Sequence, residues 1–180
     1  MTTLSCAMVG HHPARFQFGY DEEDWRCQRI KLELIRQIVI LYQNGVTDFY
    51  TSCEVGPPMW GAEAVLALMD KLKGLRLHCV IPFEEQATKW TPDWRNRYFS
   101  ILAASTSVHM TQNRLTNESY RLCGKYQIDH ANFVLAVYDT RLTSPLDPVS
   151  STIQDAKDAN RGIIYIHPDT AQVTPIRIEV

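Results

Sequence analysis

Residues that could do chemistry gather in three short stretches, each just after an apolar run. The first reads Gly10-His11-His12-Pro13-Ala14-Arg15. Gly10 lets the backbone turn sharply, and His11, His12 and Arg15 offer donors to an anion. Two adjacent histidines do not make a metal site, because both would have to converge with ligands from elsewhere. The stretch is therefore read as anion-binding, with a solvated surface loop as the plainer alternative, and no metal ligands are assigned. The second stretch runs Ser52-Cys53-Glu54-Val55-Gly56-Pro57-Pro58-Met59-Trp60-Gly61-Ala62-Glu63. It joins an apolar run to a helical pattern, where free N–H groups favour a phosphate or carboxylate. The G-x-G-x-x-G spacing and the Gly-Lys-Ser/Thr of a phosphate loop are both missing, and Pro57 and Pro58 remove two N–H donors. Glu63, about one turn into the helix, is a candidate general base or ribose-hydroxyl ligand. A carboxylate is also favoured there by the helix dipole alone. The third stretch, Pro82 to Trp90, carries Glu84 and Glu85 among aromatics; paired carboxylates can do acid–base work, while Glu84 reads as a solvated turn. His78 and Cys79 are neighbours on a strand, so they face opposite sides and form no nucleophile pair.

Strands must present these stretches. Leu4–Val9, Thr47–Ser52, Leu77–Ile81, Phe133–Tyr138 and Ile163–His167 are short runs rich in Val, Ile, Phe and Tyr. A fainter pattern over Ser107–Thr111 makes a sixth, and Gln172–Val180, with Val173, Ile176, Ile178 and Val180, is read as an edge strand. Helical patterns lie between them, at about Glu23–Gln43, Met59–Lys73, Pro92–Ala104, Asn117–Asp129 and Ser151–Asn160. Alternating strands and helices imply right-handed crossovers and a mostly parallel sheet covered on both faces. The expected class is α/β, a three-layer Rossmann-like fold, in which ligands bind beyond the carboxyl ends of the strands. Thr143–Ser151 reads as a surface loop within one domain spanning residues 1–180.

The chain has 180 residues, 45% of them apolar and 21% charged, with a formal charge of −2. That balance is globular, and the absence of a basic excess argues against a nucleic-acid coat. No apolar run reaches the roughly 20 residues of a membrane span, and Met1–Val9 lacks the marks of a secretory leader. The five cysteines (Cys6, Cys27, Cys53, Cys79 and Cys123) are widely spaced, with no Cys-x-x-Cys. They read as reduced thiols in a cytoplasmic protein.

Along nearly its whole length the chain resembles the YpsA-like proteins, a branch of the SLOG superfamily that also includes DprA-type and LOG proteins. The resemblance rests on Gly10-His11-His12-Pro13 through Phe18-Gly19-Tyr20-Asp21, on Ser52, Gly56 and Met59-Trp60-Gly61-Ala62-Glu63, and on Ile81-Pro82 with Glu84-Glu85-Gln86 and Trp90. It continues through Tyr126, Asp129-His130, Ala136-Val137-Tyr138-Asp139 and Pro168-Asp169-Thr170. It implies a Rossmann-like fold and a nucleotide or nucleotide-derived ligand of unspecified identity. Carried over, the site holds Gly10, His11, Ser52, Gly56, Trp60 and Glu63, with Glu85 and Tyr126 near its rim. His12, Arg15 and Glu54 add to the ligand contacts. An enzyme of LOG type, cleaving a nucleotide N-glycosidic bond, would use Glu63 as the catalytic carboxylate. A non-catalytic interaction module would use Trp25, Trp90 or Trp94 as anchors, and a homodimer is plausible for the superfamily. The family pattern is broken at His12 (usually Arg), Cys53 (Gly), Pro58 (acidic) and Leu122-Cys123-Gly124-Lys125 (Arg-rich). Its late Gly-Gly-Thr loop is replaced by Thr143–Pro148. These departures concentrate in strand-end loops, so the reading is a kept fold with a weakened or retuned anion site.

Overall fold

The computed structural model describes residues 3–142, 144 and 146–174. Strand β1 (Leu4–Gly10) leads through a 3-10 turn at Pro13–Arg15 to helix α1 (Trp25–Gln43). Then come β2 (Val46–Thr51), α2 (Pro57–Met69), β3 (Arg76–Ile81), α3 (Pro92–Ala104) and β4 (Ser107–Met110). The second half adds α4 (Ser119–Asp129), β5 (Phe133–Val137), α5 (Pro148–Asp158), β6 (Gly162–Ile166) and β7 (Val173–Thr174). The strands form one sheet in the order β4-β3-β2-β1-β5-β6-β7. All pairs are parallel except β6 with β7. The chain builds outward from β1 to β4, then returns to place β5 on the other side of β1. The β1/β5 boundary is thus the switch point, where a crevice opens beyond the strand ends.

Alternation along β1 sorts the core into two layers. Cys6 and Met8 face α1 and α2, in a cluster with Ile30, Leu34, Ile38, Met59 and Val65. Ala7 and Val9 face α4 and α5, in a cluster with Ile128, Ile153 and Ala156. All five cysteines are free and buried, and no helix among the described residues is long and apolar enough to cross a membrane. This is the expected α/β, three-layer Rossmann-like arrangement.

The starts of α2 and α5 differ from the sequence reading for one physical reason: proline is favoured in the first turn, where its missing N–H is not needed. Helix α2 begins at Pro57 instead of Met59, with Pro57 and Pro58 in its first turn. Helix α5 begins at Pro148 instead of Ser151, with the Asp147 carboxylate accepting from the Val149 N–H at 3.1 Å. Part of the stretch expected as surface loop is therefore helix. Helix α1 starts at Trp25 because the Asp24 side chain accepts from the Arg26 N–H. In the tail, only Val173–Thr174 pairs as a strand; Ile176, Ile178 and Val180 lie outside the described residues, as do Thr143 and Pro145 in the late loop.

Candidate functional site

A cavity of about 740 Å³ opens at the strand ends beside the switch point. Gly10, at the end of β1, forms part of its floor, and Glu54, Val55 and Pro58 come from the β2–α2 loop. Lys89 and Trp90 come from the loop before α3, Thr91 and Trp94 from its N-cap and first turn, and Tyr120 from the start of α4. Asp147, Pro148 and Val149 come from the start of α5, and His12 with Tyr20 closes the side. An inner pocket of about 30 Å³ shares Gly10, Glu54, Pro58 and Tyr120, and adds Ser52 and Gln127. A mainly apolar, aromatic wall with a few convergent polar groups is the usual composition of a small-molecule site.

Local backbone geometry explains how Glu54 reaches this place. Cys53 has φ +57° and Gly56 has φ +103°, so the chain turns sharply twice between β2 and α2. The Thr51 hydroxyl fastens the turn, accepting from the Cys53 N–H at 3.1 Å and donating to the Pro58 carbonyl at 2.8 Å. A left-handed φ costs a side-chain-bearing residue about 1–2 kcal/mol. Cys53 thus keeps a backbone shape that glycine would adopt freely. Gly10 is required for close approach: a Cβ there would stand 2.6 Å from Pro57 Cβ.

Burial, followed by the charge of Asp147, pushes the Glu54 carboxyl up from 4.5 to about 7. Tyr120 is pushed up to about 12, first by burial and then by Glu54. A carboxyl that titrates near neutrality inside a cavity marks a candidate functional group.

The start of α2 has little left for an anion. Pro57 and Pro58 carry no N–H, the Met59 N–H donates to the Glu54 carbonyl at 3.1 Å, and the Trp60 N–H to the Gly56 carbonyl at 3.0 Å. At α5 the Asp147 carboxylate already occupies the Val149 N–H.

Of the residues expected from sequence, Gly10, His12 and Glu54 line the cavity and Ser52 lines the inner pocket. The others are placed elsewhere. His11 is buried and stacked on Tyr138 at 4.6 Å, and its Nε2 accepts from the Asp139 N–H at 2.9 Å. Burial pushes its imidazole below the ordinary value. Gly56 shapes the turn and packs against Pro13. Arg15 pairs with Asp139 at 2.9 Å and with Asp169 at 3.3 Å. Trp60 is buried against Phe16 and Phe18, its indole N–H donating to Glu22. Glu63, the expected catalytic carboxylate, accepts two hydrogen bonds from Arg97 at 2.7 and 2.8 Å, outside the cavity. Glu85 is exposed and away from the cavity. Tyr126 is stacked between His109 and His130, at 4.1 and 4.0 Å. The reason is rotational: Pro58 faces the cavity, whereas Trp60 and Glu63 sit further round α2, toward the core and α3.

Among the described residues one group, Asp139, His167 and Asp169, could converge on a metal ion. Its carboxylates already hold Arg15, and Asp139 also holds Arg141 at 3.1 Å. Guanidinium groups thus supply the positive charge there.

A family model named YpsA, described as "YspA SLOG family", matches residues 6–171. The chain belongs to the YpsA SLOG family. It is similar to a "UPF0398 protein" of Bacillus licheniformis, 24% identical over 172 residues and covering 93% of each chain. A "UPF0398 protein" of Bacillus cereus is 29% identical over 136 residues, 74% of this chain and 73% of its own. One of Bacillus pumilus is 26% identical over 136 residues, covering 74% and 72%.

Sequence reasoning did not place Tyr20, Lys89, Tyr120, Asp147 or Gln127 in the site, and read Trp94 as a partner anchor. Asp147-Pro148 before a helical pattern is a cap signal that could have located the α5 start. Tyr120 and Gln127 carried no signal, since only the docking of α4 brings them in.

Proposed function

We propose that this YpsA-family chain binds a nucleotide-derived small molecule in the cavity at the strand ends, gripping it by its nucleoside part. The observation that carries this reading is a cavity of about 740 Å³ at the switch point, inside the range of about 300–1,000 Å³ usual for small-molecule sites. Trp90, Trp94, Tyr20 and Tyr120 line it together with Glu54. Stacking of a base on an aromatic side chain is worth about 1–3 kcal/mol. Trp94 is braced by the Arg97 guanidinium, 4.5 Å from its ring centre. Glu54 takes ribose hydroxyls or ring N–H groups, Gly10 allows close approach, and His12, hydrogen-bonded to Tyr20 at 3.3 Å, closes the side. A hydrolytic version of this reading uses Glu54 in place of Glu63.

The test is thermal unfolding and calorimetry with AMP, ADP-ribose, NAD and the corresponding nucleosides. A ligand at a hundredfold excess over its Kd adds about 2.7 kcal/mol. No shift and no heat across the panel, in a folded protein, removes the reading. The second reading, an interaction module, is favoured by Trp25 and Leu32, 62% and 60% exposed on the outside of α1. It predicts partner capture that Trp25→Ala abolishes and Glu54→Gln leaves intact.

A further inference from the structure

We infer that the inner end of the cavity takes the donor-rich, positively charged head of a heteroaromatic ligand, such as a protonated or N-alkylated base, and turns phosphate away. This rests on the nucleoside reading only for the remainder of the ligand.

Three acceptors line the two adjoining spaces there, with Glu54 common to both. Glu54 lines both the cavity and the inner pocket, and Asp147 lines the cavity beside it. Gln127 lines the inner pocket with 2% of its surface exposed, and its Oε1 has no hydrogen-bond partner among the described residues. A buried acceptor without a donor is costly. An inner pocket of about 30 Å³ accommodates one amino-sized donor. A ring N–H or NH₂ group satisfies Gln127 and Glu54; a phosphate oxygen satisfies neither.

Charge points the same way. The two carboxylates stand where helices α2 and α5 begin, the positions at which a phosphate is usually received. In the first turn of α2 the prolines and the Met59–Glu54 and Trp60–Gly56 hydrogen bonds take up the N–H donors, and at α5 Asp147 caps its own helix. His12 and Lys89, the positively chargeable groups of the outer cavity, do not line the inner pocket. Trp90, Trp94 and Tyr120 present aromatic surface around the same space, and aromatic faces attract cations by about 0.5–2 kcal/mol. The charge of Asp147 also helps to hold up the Glu54 carboxyl, a repulsion that a seated cation relieves.

Isothermal titration of the full chain at pH 7.5 with adenosine, 1-methyladenosine, inorganic phosphate and benzamidine tests this. 1-Methyladenosine carries a positive charge on its base, and benzamidine is an aromatic amidinium without ribose. Expected are a 1-methyladenosine affinity at least about tenfold above adenosine, measurable benzamidine binding, and no inorganic phosphate binding that competes with benzamidine. Glu54→Gln and Gln127→Leu, each checked for cooperative melting, should each erase most of the 1-methyladenosine advantage. Inorganic phosphate that competes with benzamidine, or a 1-methyladenosine advantage that survives both variants, overturns the inference while leaving the nucleoside reading standing. Benzamidine binding without any nucleoside supports the inference and removes the nucleoside reading. Silence from all four probes removes both.

Discussion

Replacing Glu54 by Gln should stabilise the unliganded protein at alkaline pH and change little at acid pH. In the unfolded chain the carboxyl loses its proton near 4.5; in the fold it holds it up to about 7, because burial and Asp147 oppose the charge. Between those values the folded state carries the extra proton, so stability falls as pH rises, and the full penalty is present above about 7. A gap of roughly two and a half pH units, at about 1.4 kcal/mol each, sets an upper size of about 3 kcal/mol. Water in the open cavity screens part of this. The expected gain at pH 8 is therefore about 1–3 kcal/mol, or roughly 3–9 °C in Tm at about 3 °C per kcal/mol for a chain of this size. Urea unfolding and thermal melts of both proteins from pH 4 to 8.5 read it directly. A variant less stable than the parent at pH 8, or a difference flat with pH, refutes the account of Glu54 as a carboxyl held against its charge. A stability cost at a cavity-lining position is the trade-off expected of a functional group, which links this measurement to the site.

Glu63→Gln should leave nucleoside affinity within about threefold, because the side chain pairs with Arg97 outside the cavity. Its stability cost should be about 0–1 kcal/mol, as for a part-exposed ion pair, checked by calorimetry and denaturation. Trp94→Ala should weaken nucleoside binding by about 5- to 150-fold through lost stacking, with little change in urea midpoint. Gly124→Ala should destabilise by about 1–3 kcal/mol, since its Cβ would lie 2.0 Å from the Thr152 hydroxyl where α4 packs on α5; an unchanged midpoint would contradict that packing. Asp139→Asn should cost about 1–3 kcal/mol at pH 7, because it removes the charge that Arg15 and Arg141 share. Hydrogen bonds from Arg141, with Arg15 adding to them, hold that carboxyl well below the usual range. Its contribution is thus present above the ordinary carboxylate range and shrinks as pH falls into strong acid, so the gap between parent and variant should be smaller at pH 2 than at pH 7 in denaturation.

The alternation of apolar strands with periodic helices was enough to read the fold, because a parallel sheet needs runs buried on both faces and crossovers that return each strand. Leu4–Gly10 shows this most clearly: Cys6 and Met8 serve one layer, Ala7 and Val9 the other. The strand-end loops were equally legible as the place to look, and Gly10, His12, Ser52 and Glu54 do meet there. The tertiary structure decided which neighbours share that space. Glu63 and Trp60 belong to the same motif as Pro58, but the rotation of α2 carries them to Arg97 and to the Phe16–Phe18 core. Tyr120, Gln127 and Asp147 are far from Glu54 in the chain and join it only because α4 and α5 dock beside β1. Local sequence records periodicity, caps and turns, since those depend on neighbours within a few residues. The burial and the Asp147 charge that raise Glu54, and the acceptor left open on Gln127, arise from distant segments packed together, and no short window of the chain contains them.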